Sequence, residues 1–197
     1  ARNAFAGAGI SSKEMGEIGL ILGSGFGTIS SKEAHYVRVL EEKKPGGALV
    51  IPQCMDNAPA AQAAIYLGLK GLNQTLFTAC SSGLNAVGNA YRLIRDGYQT
   101  RMLAGGVDTP ITFHMLDAWS KLRVLSVKNE TPGEACKPFS RGRDGFVLSE
   151  GCGILVLEEL AAAVERKAKI YAEIVGFGAT CDAKHLTTPD VDEQARA

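Results

Sequence analysis

The chain has 197 residues, 46% of them hydrophobic and 21% charged, which bounds it to one packed domain or a large piece of one and excludes a disordered chain. Lysine plus arginine equals aspartate plus glutamate at 21 each, so the formal net charge is zero. That balance argues against broad nucleic-acid binding and leaves room only for a local basic patch facing an acidic partner.

Residues 3–8 read as the last turns of a helix, with Gly9 as its C-terminal glycine. The run from Ile18 to Gly23 is continuously apolar between glycines, as in a buried strand, and Gly23-Ser24-Gly25-Phe26-Gly27 follows as a loop. Residues 32–44 are charged and predicted helical, and Pro45-Gly46-Gly47 breaks them. Pro59 opens a further helix that runs through Ala60 to Leu69 up to Gly71. Gln74 to Ala79 is predicted as a short strand leading into Cys80. Behind it, Leu84, Val87, Tyr91 and Ile94 recur at helical spacing as far as Gly97.

Arg101 to Val107 is a predicted strand, and Asp108 to Glu150 reads as loop with short helices. Gly153 to Glu158 is a strand and Leu160 to Ala168 a helix, with Glu165 and Lys169 at i,i+4 spacing. A last strand is predicted over Lys169 to Gly176. Strands alternating with helices define an α/β fold with a buried, mostly parallel sheet.

The longest apolar stretches, such as Gly153 to Leu157, are far too short to span a membrane, and no signal-peptide pattern opens the chain. The chain begins on Ala1-Arg2-Asn3-Ala4-Phe5 and closes on a polar run, Asp190 to Ala197, so both ends read as cut.

The cysteines are Cys54, Cys80, Cys136, Cys152 and Cys181. Their odd number and the lack of CxxC or Cys/His spacing imply no metal site, a reducing compartment (hence the cytoplasm) and small buried thiols. Cys80 is the exception, because the strand ending Thr78-Ala79-Cys80 turns at Ser81-Ser82-Gly83 straight into a helix. Backbone N–H groups at a helix start favour a thiolate and can hold the oxyanion of an acyl-transfer intermediate. Position alone leaves two readings open, a nucleophile and a buried structural thiol.

The glycine loop at 23–27 invites a nucleotide reading, but Thr28 stands where GxGxxG needs glycine and no P-loop Lys-Ser/Thr pair follows; a packing or cavity-lining turn is expected. Among the histidines His35, His114 and His185, the last lies in a polar stretch after a predicted strand and is the functional candidate. Arg141, Arg143 and Asp144 read as an Arg–Asp brace of their loop rather than an anion site. Lys121, Arg123 and Lys128 gather around Trp119 as either a solvated face or a docking patch.

Several stretches together carry a resemblance. Thr78 to Gly83 (TACSSG), Ala90 to Gly97 (AYRLIRDG), Leu103 to Gly106 (LAGG), Pro138 to Gly153 (PFSRGRDGFVLSEGCG) and Lys169 to Gly176 (KIYAEIVG) occur in order. The sequence thereby resembles the β-ketoacyl-acyl-carrier-protein synthases, condensing enzymes of the thiolase superfamily, along nearly its whole length. The resemblance implies a layered α-β-α-β-α fold made of two related halves meeting at the nucleophile. Residues 1–168 would be the first half without its first strand and helix, and 169–197 the truncated start of the second half.

It implies that Cys80 accepts an acyl chain from acyl carrier protein or coenzyme A. A malonyl thioester then loses carbon dioxide and extends that chain by two carbons, in fatty-acid or polyketide assembly and without a cofactor. His185 and Thr187 resemble positions near the malonyl end of the pocket, and Trp119 an aromatic flanking the acyl cavity. Arg123 and Lys128 resemble basic residues that meet the acidic carrier protein. The catalytic histidines of such enzymes lie in later motifs that do not occur here, nor does the lysine between them, so this chain alone is expected to take an acyl group without decarboxylating malonyl thioester. The family is usually homodimeric. Two rivals stand beside this reading: a truncated or non-catalytic partner subunit that binds acylated carrier protein, which typically lacks the cysteine, and a thiolase, which the PFSRGRDGF stretch disfavours.

Overall fold

The computed structural model describes residues 2–11 and 14–190; the predicted polar run from Asp190 to Ala197 thus falls, beyond its first residue, outside the described residues. Among the described residues four strands form one sheet in the order β2-β1-β3-β4: β1 (Gly19–Gly23), β2 (Asn73–Leu76), β3 (Arg101–Asp108) and β4 (Gly151–Glu158). β1 pairs in parallel with both β2 and β3, and β4 runs antiparallel to β3. All five residues of β1 are buried, as its unbroken apolar run predicts for a central strand.

Alternation along the strands splits the core in two. Leu20 and Leu22 of β1 and Leu103 of β3 pack with Phe5 of α1 (Arg2–Ala8) and with Ala60 and Ala64 of α4 (Ala58–Leu67). Ile21, Met102 and Ala104 point the other way, onto Ala86 and Ala90 of α5 (Ser82–Arg95). Each large side chain so buried contributes about 2 kcal/mol. The described residues therefore build three layers, α1 and α4, the sheet, and α5. Between them run α2 (Ile29–Tyr36), continued as a π-helical turn at Val37–Glu41, and α3 (Val50–Cys54); α6 (Phe113–Lys121) and α7 (Leu160–Glu165) come later.

Several elements depart from expectation. α4 stops at Leu67, four residues before Gly71, because Gly68 takes the left-handed conformation (φ 71°) that satisfies the terminal carbonyls of Ala64 and Ile65. α5 buries its small residues, while Leu84 of the predicted apolar stripe is exposed. Alanine and glycine let the helix axis approach the sheet closely, and the larger residues of the stripe lie beside that contact.

α7 ends at Glu165, since Lys167 turns left-handed (φ 56°) and Ala168 N–H closes onto Ala163 O at 2.8 Å. The expected Glu165–Lys169 pair across one helical turn does not arise. Arg166 beyond the helix is instead drawn to Glu158, which also receives Arg101. Burial opposes ionisation of Glu158, yet hydrogen bonds from Arg166 and Arg101 hold its carboxyl below the usual range.

Residues 169–176 are not a strand. Among the described residues no neighbouring strand accepts them, and Tyr171 and Val175 are exposed. The segment lies on α5 instead. Tyr91 Oη donates to Val175 O at 3.3 Å, and Arg92 stacks over the Phe177 ring 5.0 Å from its centroid. The Phe177 ring occupies the space above Gly88, where a Cβ would come within 2.2 Å of it.

Candidate active site

The turn into α5 is built from short polar side chains. Ser81 Oγ donates to Thr78 O at 2.7 Å, and Asn85 Nδ2 donates to Thr78 Oγ1 at 2.6 Å. Ser82, only 2% exposed, accepts the Thr78 N–H on its hydroxyl at 2.8 Å. Its own proton faces two carbonyls, Ala79 O at 2.6 Å and Ser24 O at 2.9 Å. Ala79 is held left-handed at φ 54°, a conformation that costs a non-glycine residue about 1–2 kcal/mol and lasts only when its surroundings impose it. Cys80 follows at once, exposed and free of any disulfide. Among the described residues its backbone N–H has no acceptor and its sulfur no hydrogen-bond partner.

Close backbone contact seats this turn on the sheet. A Cβ on Gly23 would lie 2.1 Å from Ser82 O, and one on Gly106 would lie 3.2 Å from Gly83 Cα. The first turn of α5 thus rests directly on the ends of β1 and β3, with no room for a side chain at Gly23 and a tight contact at Gly106. Parallel strands β1 and β2 both end here, so Cys80 stands at the carboxyl edge of the sheet, the usual place for a site in an α/β fold.

The glycine loop behind β1 packs, as expected, against the end of β3. Asp108, the last residue of β3, fills its N–H nest. One carboxylate oxygen accepts from Ser24 Oγ at 2.7 Å and from the Gly25 and Phe26 N–H groups at 3.0 Å each. Sequence reading missed Asp108 and Ser24. The available signal was a loop rich in free N–H groups beside a strand ending in a carboxylate.

Trp119 on α6 is half-buried between two aromatic rings, with Phe26 at 6.2 Å and Phe146 at 6.1 Å, both edge-to-face. Phe26 belongs to the loop that adjoins the Cys80 turn, so Trp119 connects to that turn through one side chain. Segments 124–126 and 144–146 lie side by side, with Ser126 N–H on Phe146 O and Phe146 N–H on Val124 O, both 2.8 Å. Arg123 is exposed just after α6, left-handed at φ 57°. Lys128 donates to Gly142 O at 3.1 Å, and its ammonium beside Lys137 lowers the Lys137 pKa. The two predicted docking residues and the PFSRGRDGF stretch therefore share one surface.

Asp144 does brace its loop, though not through arginine. Its carboxylate accepts from Ser126 Oγ at 2.9 Å and Val127 N–H at 3.2 Å, and the Ser126 bond holds its pKa low. Arg143 is turned onto Ser140 O at 3.0 Å instead. The expectation of buried structural thiols is also corrected: Cys54 is half-buried, and Cys136, Cys152 and Cys181 are exposed because nothing among the described residues covers their segments.

His185 is not joined to Cys80 by any hydrogen bond among the described residues. Its Nδ1 accepts from the backbone N–H groups of Thr187 at 3.1 Å and Thr188 at 3.0 Å, which folds the 185–188 turn on itself. His185 and Thr187 are thus together, but as partners of one local turn. Cavities of about 550 Å³ (at Glu14, Tyr98 and Arg101) and 220 Å³ (at Lys32, His35 and Cys54) also occur, and neither is lined by Cys80. Among the described residues no group of three or more His, Cys, Asp or Glu side chains could hold a metal ion, and no helix is long and apolar enough to cross a membrane.

The described residues thus form a three-layer α/β unit with an exposed thiol at the turn into α5. Residues 1–163 match the model of the β-ketoacyl synthase N-terminal domain, and the chain belongs to that family. It is 43% identical to the 3-oxoacyl-[acyl-carrier-protein] synthase 2 of a Synechocystis species over 178 residues, covering 89% of this chain and 42% of that protein. A Staphylococcus aureus protein of the same name is 40% identical over 173 residues, with 87% and 43% covered.

Among solved structures, a β-ketoacyl synthase from Burkholderia phymatum superposes with TM-score 0.85 at 34% identity, covering 98% of this chain and 48% of that one. A chain from the complex of a type II polyketide synthase acyl-carrier protein with its ketosynthase gives 0.82 at 28%, with 92% and 47% covered. The chain therefore spans less than half the length of these relatives.

Proposed function

We propose that this chain is the acyl-accepting part of a β-ketoacyl-[acyl-carrier-protein] synthase, with Cys80 as the nucleophile. The observation that carries the reading is the exposed thiol on a strained, fully braced turn at the start of α5, beside a backbone N–H without an acceptor. The Cys80 sulfur, as thiolate, attacks the carbonyl carbon of an acyl thioester. The new oxyanion is held by the Cys80 N–H, and collapse expels the carrier thiolate and leaves acyl-Cys80. A malonyl thioester then loses carbon dioxide, and the resulting carbanion attacks the acyl carbon. A carbon–carbon bond forms, the carbon–sulfur bond to Cys80 breaks, and a 3-oxoacyl thioester leaves.

Trp119 flanks the acyl chain in this reading, and His185 and Thr187 lie toward the malonyl end. Arg123 and Lys128 meet an acidic acyl carrier protein; their shared surface and the relative solved with a carrier protein support this. The family match ending at residue 163 supports a first half over 1–168 and the start of a second half over 169–197. The family habit supports a homodimer, and five free cysteines support a reducing, cytoplasmic setting. Decarboxylation is assigned to histidines beyond this chain.

The test is intact-mass measurement after exposure to an acyl-coenzyme A thioester. The chain is expected to gain one acyl group that maps to Cys80, and Cys80→Ala to gain none. No adduct, or an equal adduct on Cys80→Ala, overturns the nucleophile and favours a binding subunit. Prompt release of labelled carbon dioxide from malonyl thioester by the chain alone overturns the assignment of decarboxylation elsewhere.

A further inference from the structure

We infer that Asp108, Ser24 and Ser82 form one hydrogen-bonded brace that positions Cys80 for acyl transfer; the inference rests on Cys80 being the nucleophile. A loop whose successive N–H groups converge is an anion site in waiting. Here the anion is the chain's own. Asp108 Oδ1 takes Ser24 Oγ at 2.7 Å with the Gly25 and Phe26 N–H groups at 3.0 Å, and Oδ2 also lies 3.0 Å from the Gly25 N–H. Ser24, 2% exposed, is fixed twice over, since its Oγ accepts the Gly27 N–H at 2.8 Å while donating to Asp108.

A fixed Ser24 presents its carbonyl to Ser82 Oγ at 2.9 Å, and Ser82 Oγ holds the Thr78 N–H at 2.8 Å. Thr78 is two residues from Cys80, with only the left-handed Ala79 between them. The end of β3, the loop after β1 and the turn before α5 are thereby joined by short bonds between groups distant in sequence. None of the three side chains touches the reacting atoms in this reading. They are positioning residues, and they set where the Cys80 sulfur and N–H stand when a thioester arrives.

A positioning role and a purely stabilising one differ in what they slow. The 197-residue chain is incubated with octanoyl-coenzyme A over a range of concentrations, and acylation of Cys80 is followed by mass. Asp108→Asn keeps the shape and loses the carboxylate, and Ser82→Ala loses the hydroxyl. Both are expected to lower the saturating acylation rate about tenfold to hundredfold, with the half-saturating concentration unchanged. Asp108→Glu, which restores a carboxylate within reach of the nest, is expected to recover much of that loss. Ile21→Val in the core is expected to lower Tm without slowing acylation.

The inference is overturned if the wild-type chain is acylated at Cys80 and Asp108→Asn and Ser82→Ala acylate within about twofold of it. It is overturned equally if Ile21→Val slows the reaction as much as they do. Should Ser82→Ala fail to fold, the isosteric Asp108→Asn decides alone. A wild-type chain that takes no acyl group at Cys80 removes the nucleophile and the brace together.

Discussion

The turn that carries Cys80 and the segment that carries His185 are built by opposite means. Residues 78–83 sit backbone against backbone on two glycine strand ends, with their polar groups tied to Thr78 and Ser24, and Ser24 in turn tied to Asp108. Residues 169–190 have no ladder partner among the described residues and are held to α5 by Tyr91, Arg92 and one ring on Gly88. In the proposed reading the acyl-accepting turn is braced from within this chain, whereas the segment proposed for the malonyl end is only docked onto α5. A nucleophile needs fixed geometry before substrate arrives, while a second-substrate region can be completed by other parts of the protein.

The sharpest way to break this contrast is at Gly23. Gly23→Ala places a methyl group 2.1 Å from Ser82 O, so α5 must lift off the sheet. A loss of about 3 kcal/mol is expected, together with loss of Cys80 acylation, read by urea unfolding and adduct mass. Unchanged stability would show that the seat is looser than its backbone contacts require.

Glu158→Gln tests the sheet's far end, where Arg101 and Arg166 converge on one carboxylate only 7% exposed. About 2 kcal/mol of stability should go, by the same unfolding measurement, with acylation preserved in the fraction that stays folded.

The weaker region is read by a mutant cycle. Gly88→Ala should gain about 1 kcal/mol of helix propensity if nothing lies above it. With Phe177 seated there, the gain should appear only in the Phe177→Ala background. Hydrogen exchange over 178–190 should accelerate in Phe177→Ala and not at Cys80.

The smallest effect concerns Glu14. The Ser11 hydroxyl and N–H, aided by Arg101, lower its pKa from 4.5 to about 2. A depressed carboxyl stabilises the fold fully above its unfolded pKa, so this contribution is present above about pH 4.5 and fades as pH falls toward 2. In Ser11→Ala the difference from wild type should be largest above pH 4.5 and vanish near pH 2, followed by Tm against pH.

Much of this was legible from residues alone. An unbroken apolar run marked β1 as central, and the strand–Cys–helix junction singled out Cys80 while leaving a nucleophile and a structural thiol both open, because such signals are local. The Asp108–Ser24 bond joins positions 84 apart, and no periodicity encodes it. Leu84 misled because a helical stripe says which side chains share a face, not how near that face comes to a sheet; alanine and glycine settled that. Residues 169–176 read as a strand because their composition suits one, and a strand exists only where another offers its edge. Asp144 lies next to arginine in sequence, yet it reaches residues 126 and 127, since neighbours along an exposed loop seldom face each other.

The glycine seat under α5 has a consequence for how such a site can diversify. Where two backbones touch, there is no side chain to trim or enlarge, so the placement of Cys80 cannot be adjusted in small steps. In the proposed reading, changes in the accepted acyl chain must come from side chains around the turn, such as Trp119 and Phe26. An attempt to re-engineer chain length should leave residues 23, 83 and 106 alone and spend its variation on that rim.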